Sequence, residues 1–335
     1  MKRYNKVLRG APARHVILKS IAAEVGYRSR DDNSLLKHHD FLMTKYRKLV
    51  KDGGPLPTKH ALSPSLLDVK IELAERMLKS CRFCERRCGT NRFEKAGACG
   101  VDVVSHVASE FLHMGEEPDL VPSHTIFFEG CNFACSYCQN WQIARQVRGP
   151  AADVPGIVRQ IELRHRQGSS NVNFVGGEPT PHLHTILRVV NAMSLNLPVV
   201  WNSNMYMTPE AMKVLDGVVD LYLADFRYGN DEHAQLYSGV NFYWLVVTQN
   251  FEEAMKQSDV LVRQLVLPGH VECCTGPILQ WCARNLGRDV RLNLMFQYRP
   301  EYKAAMFSEI NRTLTRAEVL KALELAKKAG LRNLV

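Results

Sequence analysis

Ten cysteines lie in this 335-residue chain, and seven of them fall into two compact groups whose spacing suits metal chemistry. The tighter group, Gly130-Cys131-Asn132-Phe133-Ala134-Cys135-Ser136-Tyr137-Cys138, spaces its thiols as C-x3-C-x2-C. Thiolates are the usual ligands of a cubane [4Fe–4S] cluster, and three of them leave one of its four irons open. A molecule carrying both an amine and a carboxylate, such as the methionine end of S-adenosylmethionine (SAM), can chelate that iron and set its sulfonium beside the cluster. One electron then cleaves a carbon–sulfur bond and releases a 5′-deoxyadenosyl radical. The cofactors carry that chemistry, while the protein ligates, orients and excludes water. Two readings compete: a zinc site short of its fourth ligand, and three buried structural thiols. The loop follows an expected strand, Tyr137 precedes the third cysteine, and a Gly176-Gly177-Glu178 turn follows the next strand, a context that favours the cluster.

The second group, Cys81, Cys84, Cys88 and Cys99, is spaced C-x2-C-x3-C-x10-C. Four thiolates complete either a structural zinc or a second [4Fe–4S] cluster, and spacing leaves both open. Zinc would staple the fold; a second cluster could relay electrons or bind substrate. Arg82, Arg86, Arg87 and Arg92 stand among these thiols, where positive charge stabilises an anionic site of either kind. Cys273 and Cys274 follow an expected strand and a Pro268-Gly269-His270 turn, so they could face the same mouth as the cluster, although an unpaired cysteine is more often a small buried hydrophobe. Cys282, beside Trp281, reads as core.

The elements that must hold these residues are legible from apolar spacing. Short apolar runs predict strands at His124–Phe128, Asn171–Val175, Pro198–Asn202, Leu221–Asp225, Val260–Leu267 and Val290–Phe296. Helical patterns fall between them at Val154–Gln167, His184–Ala192, Pro209–Val214, Asp231–Leu236 and Pro277–Asn285, with Arg316–Ala329 after the last. Six strands alternating with helices imply an α/β fold with a parallel sheet, open or closed as a partial barrel. Polar and glycine-rich residues follow the strand ends, the mouth where α/β barrels place their chemistry. Residues 1–79 form a basic helical extension, with helices at Leu35–Val50 and Pro64–Leu78, Ser63 as N-cap of the second and Asp52-Gly53-Gly54-Pro55 as a linker. Residues 80–120 are the Cys-rich knuckle and connector, and 121–335 the barrel.

At these residues the chain resembles the radical SAM superfamily, in the branch related to pyruvate formate-lyase activating enzymes, especially uncharacterised members with an N-terminal Cys motif. The likeness runs from Gly130 to Trp141 and on through Asn173-Phe174-Val175, Leu197-Pro198-Val199-Val200, Asp220 to Arg227, Arg263 to Gly269 and Leu294 to Tyr298. It covers about residues 80–335. It implies a partial (β/α)6 barrel with SAM across its mouth. It further implies that Gly176, Gly177 and Glu178 hold the SAM amino group, that Tyr137 packs near adenine, and that Asn202 and Ser203 approach the cofactor from the third strand. Asp225 matches the acidic position of the fourth strand, and Arg263 a basic residue near the SAM carboxylate and ribose. Gln297 ends the sixth strand where some activating enzymes carry a His, a departure at the ribose contact. The activity implied is reductive cleavage of SAM for hydrogen abstraction, with activation of a glycyl radical on a partner protein, anaerobic conditions and a ferredoxin or flavodoxin as electron donor.

Composition bounds the rest. At 46% apolar residues the chain can bury a substantial core, and no run approaches a membrane span or a secretory signal, so a soluble cytoplasmic protein is expected with no membrane partner. The net charge of +9 is uneven: residues 1–100 carry 22 Lys/Arg against 10 Asp/Glu. A basic block of this kind can dock a protein substrate, and no nucleic-acid-binding motif accompanies it. The rival functions are a small-molecule enzyme of the same chemistry and a non-catalytic iron–sulfur or zinc assembly factor.

Overall fold

The computed structural model describes residues 1–52, 56 and 61–335; the Gly53-Gly54-Pro55 part of the expected linker lies outside them. Seven strands form one sheet in sequence order: β1 (Val107–His113), β2 (Ser123–Phe128), β3 (Asn171–Gly176), β4 (Val199–Ser203), β5 (Leu221–Asp225), β6 (Asp259–Leu265) and β7 (Arg291–Met295). β2 to β7 are parallel, and β1 adds antiparallel to β2 at the edge. The strands are apolar on both faces, as parallel strands covered by helices must be: every residue of β4 is buried. The fold is thus α/β, a six-stranded parallel sheet consistent with a partial barrel, with a seventh strand added.

Each parallel strand after β2 is reached by a helical crossover. The helix Val154–Arg166 opens with Asp153 accepting from the Gly156 N–H, and Pro209–Leu215 with Thr208 accepting from the Ala211 N–H. Arg316–Ala329 carries a capping box between Thr315 and Glu318 and ends on Gly330 in the left-handed region, so both of its ends are written in the sequence. Three elements of the barrel region were not expected: β1, the short helix Trp141–Arg145 after the three-cysteine loop, and the helix Tyr243–Gln257 between β5 and β6. The helix expected at Pro277–Asn285 is longer: π-helical turns at Val271–Thr275 and Cys282–Leu286 flank the α-helical Gly276–Trp281.

The N-terminal extension packs on the barrel. Its helices are Lys2–Leu8, Arg14–Lys19, Asp32–Asp52 and Leu66–Met77. The N-cap of the last is Ser65, not Ser63: Ser65 and Asp68 bond each other reciprocally, so the capping box sits beyond Pro64 rather than before it. The first two helices run beneath the N-terminal ends of the strands. The Tyr4 N–H donates to Asp259 at 2.7 Å, its hydroxyl accepts from Asn171 at 2.8 Å, the Arg14 N–H donates to Asp220 at 3.0 Å, and Lys19 donates to the Met193 carbonyl at 2.6 Å. Tyr4 joins Leu120, Val200, Leu221, Leu223 and Leu261 in a small apolar cluster inside the barrel's lower end. With that end filled, chemistry is left to the opposite one. Among the described residues no helix is long and apolar enough to cross a membrane.

Candidate active site at the mouth of the barrel

A cavity of about 430 Å³ opens at the C-terminal ends of the strands, a volume suited to one ligand of cofactor size. Tyr137, Cys138, Gly176, Gly177, Glu178, Asn202, Ser203, Asp225 and Arg263 all line it. Gln297 does not: β7 ends at Met295, which lines the cavity itself, and the chain then leaves the sheet with Gln297 exposed.

The three-cysteine loop leaves β2 at Gly130, whose φ of +85° and close approach to Cys99 and Val101 exclude a side chain. Cys131 and Cys135 are buried and Cys138 is half-buried. Burial pushes the thiol of Cys138 up to about 11, the nearby Cys135 adding to the rise, while Arg227 works in the opposite direction. A proton therefore stays on the Cys138 sulfur until a metal displaces it, and the adjacent guanidinium favours the thiolate form. Arg227 lines the cavity, donates to Asp225 at 2.6 Å and leaves its Nε buried without a hydrogen-bond partner. An orphaned buried donor beside three thiols suits an anionic group, and an iron–sulfur cluster with a carboxylate-bearing ligand supplies one. Tyr137 donates to the Tyr228 hydroxyl at 2.8 Å, Tyr228 stands 2.6 Å from the Ser238 hydroxyl, and Ser238 donates to the Cys135 sulfur at 3.0 Å. A chain of hydroxyls thus ends on the Cys135 sulfur.

Glu178 is buried, and its carboxylate is occupied by the protein itself. It accepts from the Thr180 hydroxyl at 2.6 Å, the Thr180 N–H at 3.3 Å, the Ser203 hydroxyl at 2.6 Å and the Asn204 N–H at 3.0 Å. Burial raises its pKa and these donors oppose the rise. Three of these donors crowd Oε1 and one reaches Oε2, so Glu178 ties the β3 turn to the end of β4, and Oε2 keeps acceptor capacity for an incoming amine. Gly177 meets the cluster loop directly: a Cβ there would lie 2.2 Å from the Gly130 oxygen.

Arg263 from β6 donates to Asp225 at 2.8 Å, bonds the Asn202 side chain and stands 3.5 Å from Glu116. Burial disfavours the Arg263 charge, and the Asp225 and Glu116 carboxylates more than offset it. Sequence reasoning missed Glu116, His113 and Arg227. Glu116 and His113 reach the mouth because β1 lies beside β2, and the Gly115-Glu116-Glu117 turn was their one local signal. Arg227 follows Asp225 by two residues in a run already singled out.

The knuckle docks beside this loop. The Cys131 N–H donates to the Cys99 carbonyl at 3.2 Å, Cys84 bridges to Met207 after β4, and Arg86 donates to the Asn132 carbonyl. Arg92 is fully buried, bonds the Asp102 and Pro181 carbonyls, and acts to lower the Cys81 and Cys99 thiols against the dominant effect of burial. Cys273 and Cys274 do not line the mouth cavity; they sit on the π-helical turn after β6, with Cys274 beside Gly229.

A parallel α/β barrel with three thiols on the loop after its first parallel strand and a Gly-Gly-Glu turn after its second defines a class of radical-generating iron–sulfur proteins. A model of the radical SAM superfamily matches residues 125–282, and the chain carries a radical SAM domain there. An uncharacterised protein of Methanocaldococcus jannaschii is 44% identical over 327 residues, covering 96% of this chain and 95% of that one. Among solved structures, SuiB of Streptococcus suis bound to the precursor peptide SuiA matches with a TM-score of 0.47 and 13% identity over 61% of this chain and 46% of that one. SuiB bound to SAM matches with a TM-score of 0.44 and 14% identity over 59% of this chain and 44% of that one. This chain spans less than half the length of the SuiB chains it matches.

Proposed function

We propose that this chain uses SAM to abstract a hydrogen atom from a protein partner, a glycine being the target that the resemblance to activating enzymes suggests. The carrying observation is the thiol triad of buried Cys131 and Cys135 with half-buried Cys138, which lines a cavity walled by Arg227, Arg263 and Asp225. A [4Fe–4S] cluster held by those thiols supplies the electron that cleaves SAM. Arg227 and Arg263 orient the carboxylate end of the cofactor, and Tyr137 walls the cavity beside the cluster loop. The mouth is of a size that one cofactor fills, which favours a substrate presented from outside over a second small molecule bound within. A ferredoxin or flavodoxin would deliver the electron. Anaerobically reconstituted protein should form 5′-deoxyadenosine and methionine on reduction, and Cys135→Ala should form neither; cleavage at the wild-type rate in that variant overturns the reading. A glycyl radical signal on a co-purified partner separates the protein substrate from a small one, and an absence of any SAM cleavage would leave the assembly-factor reading.

The knuckle thiols fit a second cluster better than zinc. Thiolates on one tetrahedral zinc at about 2.3 Å stand roughly 3.8 Å apart, yet among the described residues no three of Cys81, Cys84, Cys88 and Cys99 gather their sulfurs within 4.8 Å of one another. A cubane spreads its thiolates over separate irons. The hydrogen bond from Cys131 to the Cys99 carbonyl gives such a cluster a short route for electrons into the SAM site. Wild type should then hold about eight irons and a Cys81→Ser/Cys84→Ser variant about four, at four per cubane. Release of zinc with unchanged iron would overturn this assignment.

A further inference from the structure

Away from both cysteine groups, His233, His270 and Cys273 bring one ligand atom each to within 4.8 Å of one another. His233 lies on the helix Asp231–Ser238 after β5, while His270 and Cys273 lie on the turn that follows β6. Neither stretch of chain alone could build the group; the parallel order of β5 and β6 makes it. His270 and Cys273 are three residues apart across the entry to a π-helical turn, so both face the same side. Such turns are rare and concentrate at functional sites.

Hydrogen bonding around His270 is that of a ligand. Its Nδ1 is 2.6 Å from the Pro268 carbonyl, which can only accept, so Nδ1 carries the proton and Nε2 has a free lone pair. The one candidate donor to Nε2 is the Tyr237 hydroxyl at 3.0 Å, but that hydroxyl is 2.6 Å from the Glu309 carboxylate and has a single proton to give. The shorter bond to the charged acceptor takes it. Nε2 then receives no proton from Tyr237 and can be the ligand atom that His270 brings beside those of His233 and Cys273. A backbone carbonyl fixing the far nitrogen of an imidazole is the usual outer support of a metal-bound histidine.

We infer that His233, His270 and Cys273 form a mononuclear site for a borderline-soft divalent cation, zinc in the first instance, with a fourth position open. A tetrahedral zinc with nitrogens at about 2.0–2.1 Å and a thiolate at about 2.3 Å sets its ligands roughly 3.3–3.8 Å apart, inside the observed spread. Two imidazoles and a thiolate suit zinc over magnesium or calcium, which take oxygen. His233 and Cys273 are half-buried, so an ion can reach the group from solvent, and Cys274, its sulfur 3.6 Å from His233 Nδ1, flanks the site. The bound ion would tie the helix that presents Ser238 to the exit of β6, one residue from the tyrosine whose carbonyl accepts from the Ser136 N–H in the cluster loop. The inference does not depend on the SAM reading.

Full-length protein carrying its iron–sulfur content is equilibrated anaerobically with one equivalent of Zn²⁺ and desalted, and zinc and iron are measured together. Wild type and Cys81→Ser/Cys84→Ser should each keep about one zinc at this site, whereas His233→Ala/Cys273→Ala should keep none and retain wild-type iron. Equal zinc in the His233/Cys273 variant, loss of the zinc in the Cys81/Cys84 variant, or no retained zinc in wild type each overturns the inference. Should the double variant lose iron through misfolding, zinc K-edge absorption on wild type decides. A shell of two nitrogens and one sulfur supports the site, and an all-sulfur or all-oxygen shell refutes it.

Discussion

The contact between Gly177 and the cluster loop makes the sharpest test of how the two halves of the site are held. A methyl group at position 177 would lie 2.2 Å from the Gly130 oxygen, 2.9 Å from the Gly130 carbonyl carbon and 3.0 Å from the Ala144 Cα. All three are backbone atoms, so no side chain can swing aside. Ordinary contact begins at 3.4 Å, and Gly177→Ala must therefore push the β3 turn and the loop carrying Cys131 apart by roughly 1 Å. A shift of about 1 Å at a reacting centre costs roughly 10²-fold in rate, and forcing a methyl into packed surroundings costs about 1–3 kcal/mol. Gly168 is the control. Its φ of +100° makes an alanine strained, but nothing lies within 4 Å of the added atom, so Gly168→Ala should lose about 1–2 kcal/mol of stability and no chemistry. Formation of 5′-deoxyadenosine under single-turnover conditions, iron content and a melting curve distinguish the two. Cleavage by Gly177→Ala within a few-fold of wild type, or an equal loss in Gly168→Ala, would show that the contact does not set the geometry.

Three further outcomes are expected. In Glu178→Gln an amide NH2 must face a donor, either Asn204 N–H or the Thr180 and Ser203 hydroxyls, at about 1–3 kcal/mol, so the melting temperature should fall while bound iron persists; an unchanged melt would mean those donors do not depend on this carboxylate. Ser238→Ala removes the hydroxyl that donates to Cys135, and since hydrogen bonds to cluster sulfurs raise the potential, the SAM-site cluster should become harder to reduce by an amount readable in a redox titration; an identical potential refutes the contact. Lys70 is fully buried against His39 and the Lys213 carbonyl, and burial pushes its ammonium down to about 7 from 10.5. Between those values the unfolded chain holds a proton that the folded one lacks, so this group makes stability rise with pH, and below about 7 it adds no slope. Lys70→Met should flatten the rise between pH 7 and 9 by about 2 kcal/mol in chemical denaturation; parallel curves would mean that Lys70 stays charged.

How far the sequence could be read depended on whether the physics was local. β5 and the helix Arg316–Ala329 agree with expectation residue for residue, because one is an unbroken buried run and the other has a cap written at each end. The helix Tyr243–Gln257 begins Tyr-Trp-Leu-Val-Val, a run of strand formers, yet Tyr243, Val247, Phe251 and Ala254 are buried at helical spacing, and tertiary packing overrides propensity. β1 alternates weakly because it is a half-exposed edge, and with it went Glu116 and His113. Most mouth residues follow strand ends and were found; Gln297 was misplaced because β7 stops short of it. The basic count of the first hundred residues is not all displayed charge. Arg14, Lys19, Lys70 and Arg92 are buried and hydrogen-bonded rather than displayed, so part of that charge is structure and not docking surface.

Tyr4 is fully buried among residues that the ribosome adds much later, its hydroxyl bonded to Asn171 and its N–H to Asp259. During synthesis the helix Lys2–Leu8 therefore precedes the strands it packs beneath, and its bonds to Asn171 and Asp259 are complete only once β6 has begun. The sheet can grow strand by strand, but its floor is laid by a segment made before any of those strands. Until then the apolar lower end of the barrel, Val200, Leu221, Leu223 and Leu261, stands uncovered. A nascent chain halted before Asp259 should leave its N-terminal helix open to protease, and closure of that end becomes the step that marks completion of the barrel.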